Sequence, residues 1–296
     1  MTHAPFSSAD PRKQIPFSQN PDTMKNRKTK RQTPNNLLYT IAFDPPGCTI
    51  IRAQAKLFVL SLLRTCFDGD IIVFTNSRKP MFPTGRLGVT EIRIDTQRKK
   101  ESALAEFACA FKYLAINYIA NPEKYGRILF TDCDCLALRN LAPLYQYEED
   151  IIWAAEPGTT IAAPWYSGYF TEEEKLSAHV GVNAGTWSIK GKKMTEVVAA
   201  MDGIIRQGPL EEQVFWGDQP AWNKLIFSGK FSNRAFSSLD LRFPMVHHTH
   251  YKEYTEAALV HVCGATVEQK TRFLFGLFAD RFYFDAAPMI LDVIET

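Results

Sequence analysis

Two carboxylates separated by one residue stand at the end of an apolar run, in Arg127-Ile-Leu-Phe-Thr-Asp132-Cys-Asp134-Cys-Leu-Ala-Leu138. Alternate side chains of an extended chain share a face, so Asp132 and Asp134 project into one crevice while Cys133 and Cys135 turn the other way. Hard oxygen ligands of this kind hold a divalent cation whose remaining positions take phosphate oxygens and water. A nucleoside diphosphate brings charge of its own, so two carboxylates suffice where an all-protein cage needs more. Taken alone, the pair also fits turn or cap aspartates, which are common after strands. Three further segments add to it. Gly181-Val-Asn183-Ala184-Gly185-Thr-Trp-Ser-Ile189 places an amide and a glycine at the start of a strand. Gly217-Asp218-Gln219-Pro-Ala-Trp-Asn223 puts a carboxylate and two amides on the opening turn of a helix, and His261-Val-Cys-Gly264 ends a last apolar strand.

Other chemistries fit these residues less well. A haloacid-dehalogenase-type phosphatase also opens with strand–D-x-D, but there the motif follows the first strand and a Thr or Val stands four residues on. Here the motif is mid-chain and Leu136-Ala137 follow. No G-x-G-x-x-G follows a strand, and Gly185 to Gly191 with Lys192 misses the P-loop spacing by one residue. His247, His248 and His250 lack a Cys or Asp at zinc-ligand spacing and read as loop residues. Cys133 and Cys135 lack the partner C-x-x-C of a zinc site and read as small buried hydrophobes.

In their order along the chain, these four motifs resemble the metal-dependent GT-A-fold glycosyltransferases, most closely the retaining family 8 type that includes glycogenin and bacterial galactosyltransferases. The resemblance runs from about Leu37 to His261. It implies a hexosyltransferase that moves a hexose from a nucleotide diphosphate sugar, taken as UDP-linked, to an acceptor hydroxyl with retention. Asp132 and Asp134 match the metal-binding D-x-D, and His261 matches the histidine that is the third ligand, for Mn²⁺ or Mg²⁺. Asn183 and Gly185 fall on the segment lining the sugar site, with Ala184 where serine is usual. Asp218 and Gln219 fall on the pair that flanks the anomeric carbon and carries the catalytic role. Lys112 matches a lysine that steadies the donor, and Cys133 and Gly264 fall among the donor-binding positions. Ile41, Ala42, Phe43 and Asp44 correspond to the uracil-binding edge, although Gly47 stands where a tyrosine is common. The diphosphate lysine is expected six residues after the histidine; here Lys270 stands nine away. A phosphatase using the D-x-D, or a catalytically idle carbohydrate- or nucleotide-binding scaffold, is the alternative.

The elements that must position these residues follow a strand and helix order. Apolar β-prone runs at Leu37–Phe43, Asp70–Thr75, Val89–Ile94 and Arg127–Thr131 alternate with helical patterns at Thr49–Arg64 and Glu101–Tyr118. In the first helix Ile51, Ala55, Phe58 and Leu62 share a face; in the second Leu104, Phe107, Ala108, Phe111, Ala115 and Tyr118 form one stripe. Lys112 sits at the edge of that stripe, where a snorkelling stem is the plainer reading. This order predicts an α/β fold with a doubly wound mixed sheet and the D-x-D after a central strand, ligands sitting outside the carboxyl ends of the strands. Further strands are expected at Asp150–Ala155, Val182–Ile189 and Ala258–Val262, with helices near Lys193–Arg206 and Asp218–Phe227. Glu156–Ser177 reads as a long functional loop. Its stretch Ala163-Pro164-Trp165-Tyr166-Ser167-Gly168-Tyr169-Phe170 could stack on an acceptor sugar or simply anchor the loop.

The 296 residues, 46% hydrophobic, are ample for one large domain and exclude wholesale disorder. Residues 1–36 carry seven basic side chains against Asp10 and Asp22 and show no hydrophobic period, so they read as a basic disordered tail before a transferase domain over 37–296. Peripheral membrane contact through Lys25–Arg31 is conceivable, but a solvated tail is the plainer reading. The mildly acidic body is no nucleic-acid footprint. Nothing approaches the roughly 20 apolar residues of a transmembrane span. Without an apolar leader after the first charges, the six cysteines read as reduced thiols and the protein as cytoplasmic. The glycan, lipid or protein acceptor is not legible.

Overall fold

The computed structural model describes residues 35–82, 88–96, 101–177, 179–208, 218–243, 254 and 256–282. The chain divides into two units, residues 1–33 and 34–296, and every described element belongs to the second. Its central strands are the apolar runs of the sequence. β1 (Leu37–Ala42) and β4 (Arg127–Thr131) are buried at every residue, as parallel strands covered on both faces must be. β2 (Asp70–Thr75) lies on the other side of β1, and the partly exposed β3 (Val89–Arg93) forms the edge. The sheet order is β3-β2-β1-β4-β7-β6-β8, with β6 Ile151–Thr160, β7 Val180–Lys190 and β8 Asn233–Ala235. The first four strands run parallel, and β7 pairs antiparallel with both β4 and β6. The doubly wound mixed sheet expected from the order of elements is therefore present.

Helices cover both faces. α1 (Ile50–Arg64) packs Ala55, Phe58 and Leu62 on one side of the sheet together with Leu38, Val73 and Leu129. On the other side lie α2 (Glu101–Leu114), α4 (Met194–Gln207) and α5 (Gln219–Phe227), whose Phe111, Met201 and Trp222 join Tyr39, Phe130 and Trp187. α6 (Val267–Phe282) covers the back of α1, where Leu274 and Phe278 meet Ala53 and Leu57. No described helix is long and apolar enough to cross a membrane.

A second, three-stranded sheet of order β5-β10-β9 explains how residues far apart in sequence reach the D-x-D. β5 (Cys135–Ala137) continues directly from the motif and pairs antiparallel with β10 (Leu259–His261), with His261 opposite Cys135. β9 (Leu241–Arg242) lies on the far side of β10. β10 lies within the strand expected at Ala258–Val262, whereas β5 and β9, of three and two residues, are too short to show an alternating pattern in the sequence. The stretch Glu156–Ser177, expected as a loop, is instead largely ordered. β6 runs on to Thr160, a 3₁₀ turn spans Pro164–Tyr169, and α3 (Glu172–Leu176) starts at a capping box between Thr171 and Glu174. The Thr171-x-x-Glu174 spacing is the signal that marks this helix. The second expected helix ends at Leu114 and tightens into a 3₁₀ turn through Tyr118.

Candidate active site

The carboxyl ends of β1 and β4 adjoin, and the sheet order reverses there, so the crevice between them is the place where an open α/β sheet binds ligands. Strand alternation sends Ile41 and Phe43 into a cavity of about 270 Å³ that also takes in Lys112, Asp132, Cys133 and Asp134. Lys270 lines the same cavity because α6 begins at Val267 and returns across it. Ala42 does not belong there. It faces the opposite way and packs with Ala55 and Phe58 of α1, as strand alternation requires. Asp44 opens a neighbouring cavity of about 450 Å³ beyond the end of β1, shared with Arg52, Asn76 and Thr96.

The D-x-D carboxylates meet two ammonium groups and one imidazole. Lys112 Nζ lies 3.2 Å from Asp132 Oδ1, and Lys270 Nζ lies 2.6 Å from Asp134 Oδ2. His261 Nε2 faces both carboxylates, 3.2 Å from Asp134 Oδ1 and 3.9 Å from Asp132 Oδ2. Burial pushes the Asp134 carboxyl up, but His261 and Lys270 outweigh it and hold it well below the usual carboxylate range. Lys112 also stands 4.0 Å from Asp218 Oδ1, so one ammonium links the D-x-D to the start of α5. Asp218 is 2% exposed, and burial, opposed by Lys112, pushes its carboxyl up to about 6.

β7 supplies the floor. Its pairing with β6 jumps from Trp187 opposite Trp153 to Asn183 opposite Ala154, so residues 184–186 bulge out of the ladder. A bulge of this kind re-aims a strand beside a site. The Asn183 side chain holds it, accepting from Gly185 N at 2.8 Å, while Gly185 O accepts from Asp132 N at 2.7 Å. A Cβ on Gly185 would come within 2.3 Å of His261 Cε1 and 2.6 Å of Asp132 Oδ2, so only glycine lets the three elements close together. Gly264, three residues past His261, holds a φ of 70° that suits glycine as the chain leaves β10 for α6. Gln219 bonds Ala184 N through Oε1 at 3.3 Å. The structure thus joins Asp132, Asp134, His261, Lys112, Gly185, Asn183, Asp218 and Gln219 in one connected region.

No protein-family model matches the sequence, and no curated protein matches it. Solved structures do. The galactosyltransferase LgtC in complex with donor and acceptor sugar analogues aligns with a TM-score of 0.56 at 14% identity, over 81% of this chain and 95% of that one. An active-site mutant of LgtC gives 0.54 at 14% identity, over 80% and 94%. The bifunctional glycosyltransferase WbbM, in its apo form, gives 0.53 at 11% identity, over 90% of this chain and 53% of that one. The fold is GT-A.

GT-A glycosyltransferases commonly use a divalent metal, and the donor set here fits one. Asp134 Oδ1 is buried without a hydrogen-bond partner among the described residues, with His261 Nε2 3.2 Å away. An unpaired buried carboxylate oxygen is costly, and a cation removes the cost. Asp134, Cys135 and His261 offer atoms within 4.8 Å of one another. Cys135 is the weaker member: burial pushes its thiol up to about 12, and it accepts from Thr131 Oγ1 at 2.8 Å inside the core. Asp132 offers a carboxylate in its place, its Oδ2 3.9 Å from His261 Nε2.

Several residues of the site carry no local signal in the sequence. Arg52 closes on Asp44, its Nε 2.6 Å from Oδ2, while Asp44 Oδ1 accepts from Ile51 N at 2.9 Å and Arg52 N at 3.3 Å. Both oxygens of the expected uracil-edge carboxylate are therefore engaged at the start of α1. Glu156 accepts from the Asn183 amide, and Tyr166 accepts from the Gln219 amide. The Trp165 side chain, residues 247, 248 and 250, and most of residues 1–36 lie outside the described residues. Asn35 and Asn36, the first described residues, accept through their carbonyls from Gly126 N and Asp70 N.

Proposed function

We propose that this chain is a glycosyltransferase that moves a hexose from a nucleoside diphosphate sugar, UDP-linked by the resemblance of its motifs, to an acceptor hydroxyl. The observation that carries the reading is the meeting of Asp132, Asp134 and His261 with Lys112 and Lys270 at the switch point of a GT-A sheet. Asp132, Asp134 and His261 hold Mn²⁺ or Mg²⁺, whose charge supports the departing diphosphate when it is bound. Lys112 and Lys270 add two ammonium groups that can turn from the carboxylates onto phosphate oxygens. Asn183 and Gly185 line the sugar, and the Asp218–Gln219 pair stands by the anomeric carbon. As the bond to the diphosphate breaks, positive charge grows on that carbon, and the Asp218 carboxylate and the Gln219 carbonyl oxygen stabilise it. The acceptor hydroxyl oxygen bonds on the face the diphosphate leaves, its proton passing to the departing diphosphate oxygen. Residues 37–296 form the transferase domain behind a solvated basic tail, in the cytoplasm.

The test is to incubate the full-length chain with a panel of nucleotide sugars, with Mn²⁺ and with a chelator, and to measure the products. Metal-dependent release of nucleoside diphosphate from one donor supports the reading. Release of inorganic phosphate would point to a phosphatase, and no turnover of any donor to an idle binding scaffold; either result overturns it.

A further inference from the structure

The Gln219 carboxamide is held at both ends. Its Oε1 lies 3.3 Å from Ala184 N, and its Nε2 lies 2.8 Å from the Tyr166 hydroxyl. A backbone N–H only donates, so the oxygen must be the end facing Ala184. The NH₂ end is then turned to Tyr166, whose hydroxyl accepts. The backbone beneath is fixed separately. Asn223, one turn along α5, donates to Gln219 O at 2.8 Å and clamps Val182 of β7 through both its N–H, at 2.7 Å, and its carbonyl, at 3.0 Å. What remains rotatable is the Gln219 side chain, and Ala184 and Tyr166 fix it.

Tyr166 is itself set in place. Its ring is fully buried on the 3₁₀ turn Pro164–Tyr169. It lies against Gly181, where a Cβ would stand 3.2 Å from both its Cε2 and its hydroxyl oxygen. We propose that Tyr166 is a positioning residue for glycosyl transfer, holding the Gln219 amide so that its carbonyl oxygen stays on the β7 bulge beside Asn183 and Gly185. The inference rests on the glycosyltransferase reading, in which Gln219 faces the anomeric carbon. An electron-poor carbon is stabilised by a carbonyl oxygen and opposed by an NH₂ group, so the orientation of this amide bears on the chemistry. Without the hydroxyl, the NH₂ end loses its acceptor in a part-buried place, and the carboxamide turns away from Ala184 to find another.

Tyr166→Phe, which keeps the buried ring, tests this in the full chain, alone and combined with Gln219→Ala. The readouts are turnover of whichever nucleotide sugar the wild type uses, and thermal stability. Tyr166→Phe is expected to lower kcat about tenfold, the scale of one lost hydrogen bond, with donor KM and Tm little changed. In the Gln219→Ala background it should have no further effect, because the two residues act as one unit. An equal loss in both backgrounds, or a raised KM at constant kcat, overturns the proposal. A second measurement needs no turnover. The Gln219 NεH₂ proton signals, assigned by their disappearance in Gln219→Ala, should exchange slowly with solvent in the wild type and quickly in Tyr166→Phe. Unchanged exchange overturns the positioning role whatever the enzyme assay gives. If no donor is turned over, the glycosyltransferase reading fails, and the proton signals still decide the contact.

Discussion

Asp218 carries a carboxylate that is 2% exposed, with Oδ2 lacking a hydrogen-bond partner among the described residues and Lys112 4.0 Å from Oδ1. Nothing about folding asks for a charge there; Lys112 is already engaged by Asp132. Asp218→Asn keeps the shape and removes the charge, so kcat should fall by about tenfold or more while donor KM holds, the pattern of an interaction made mainly in the transition state. Initial rates over a range of donor concentration check this, and a raised KM at constant kcat would make Asp218 a ground-state contact. The pH dependence has a definite sign. Burial lifts the folded-state pKa from 3.8 to about 6, so between those values the folded protein binds more protons than the unfolded one. Stability from this group is therefore fully present below about pH 4 and is lost as pH rises through 6. In metal-free protein, Asp218→Asn should gain Tm over the wild type as pH rises from 4 to 7; in a separate assay with Mn²⁺ present, the acid limb of the wild-type kcat profile near pH 6 should be missing from the variant. Equal Tm differences at both pH values would contradict the raised pKa.

At the scale of elements, the site depends on α5 being fixed to the β7 bulge, and Asn223 supplies the fixing. It is fully buried, with hydrogen bonds to Val182 N, Val182 O and Gln219 O. Asn223→Leu fills the same space but strands the Val182 N–H and carbonyl, and should cost about 3 kcal/mol in chemical denaturation. A change within about 0.5 kcal/mol would mean that water or a small shift replaces the clamp. The long elements were legible because their periods are: Asp70–Thr75 and Arg127–Thr131 have the bounds their apolar runs suggest. The D-x-D was legible for the same reason, since it ends one of these runs. What sequence reading missed depends on contacts between distant segments. β5 has three residues and exists because it pairs with β10, which lies within the strand expected at Ala258–Val262. Arg52 and Glu156 each act on a site residue from another segment, and no local pattern marks them; Tyr166 lies in the aromatic stretch 163–170, but nothing local marks its contact with Gln219. Lys270 reaches Asp134 because the direction of α6, rather than a count from His261, places it.

At the scale of the whole molecule, the parallel half of the sheet presents Asp44 and the D-x-D, the antiparallel half presents the bulge and α5, and the small sheet brings His261 to their junction. The described core lies within residues 34–296, where the Asn35 and Asn36 carbonyls accept from Gly126 N and Asp70 N. A chain starting at Pro34 should keep the Tm of the full chain within about 2 °C and keep its rate of donor hydrolysis, as scanning calorimetry and a nucleotide-release assay would read; a large loss of either would make the basic segment part of the domain. Transfer as proposed needs the carboxylates to act through a cation. Calorimetric titration of UDP into the full chain, with Mn²⁺ and with chelator, in wild type and Asp134→Ala, tests that most directly. Mn²⁺ should tighten UDP binding by about tenfold or more in the wild type and leave Asp134→Ala at the affinity the wild type shows in chelator. Equal UDP affinity for the wild type in Mn²⁺ and in chelator, or an undiminished Mn²⁺ effect in Asp134→Ala, would contradict it.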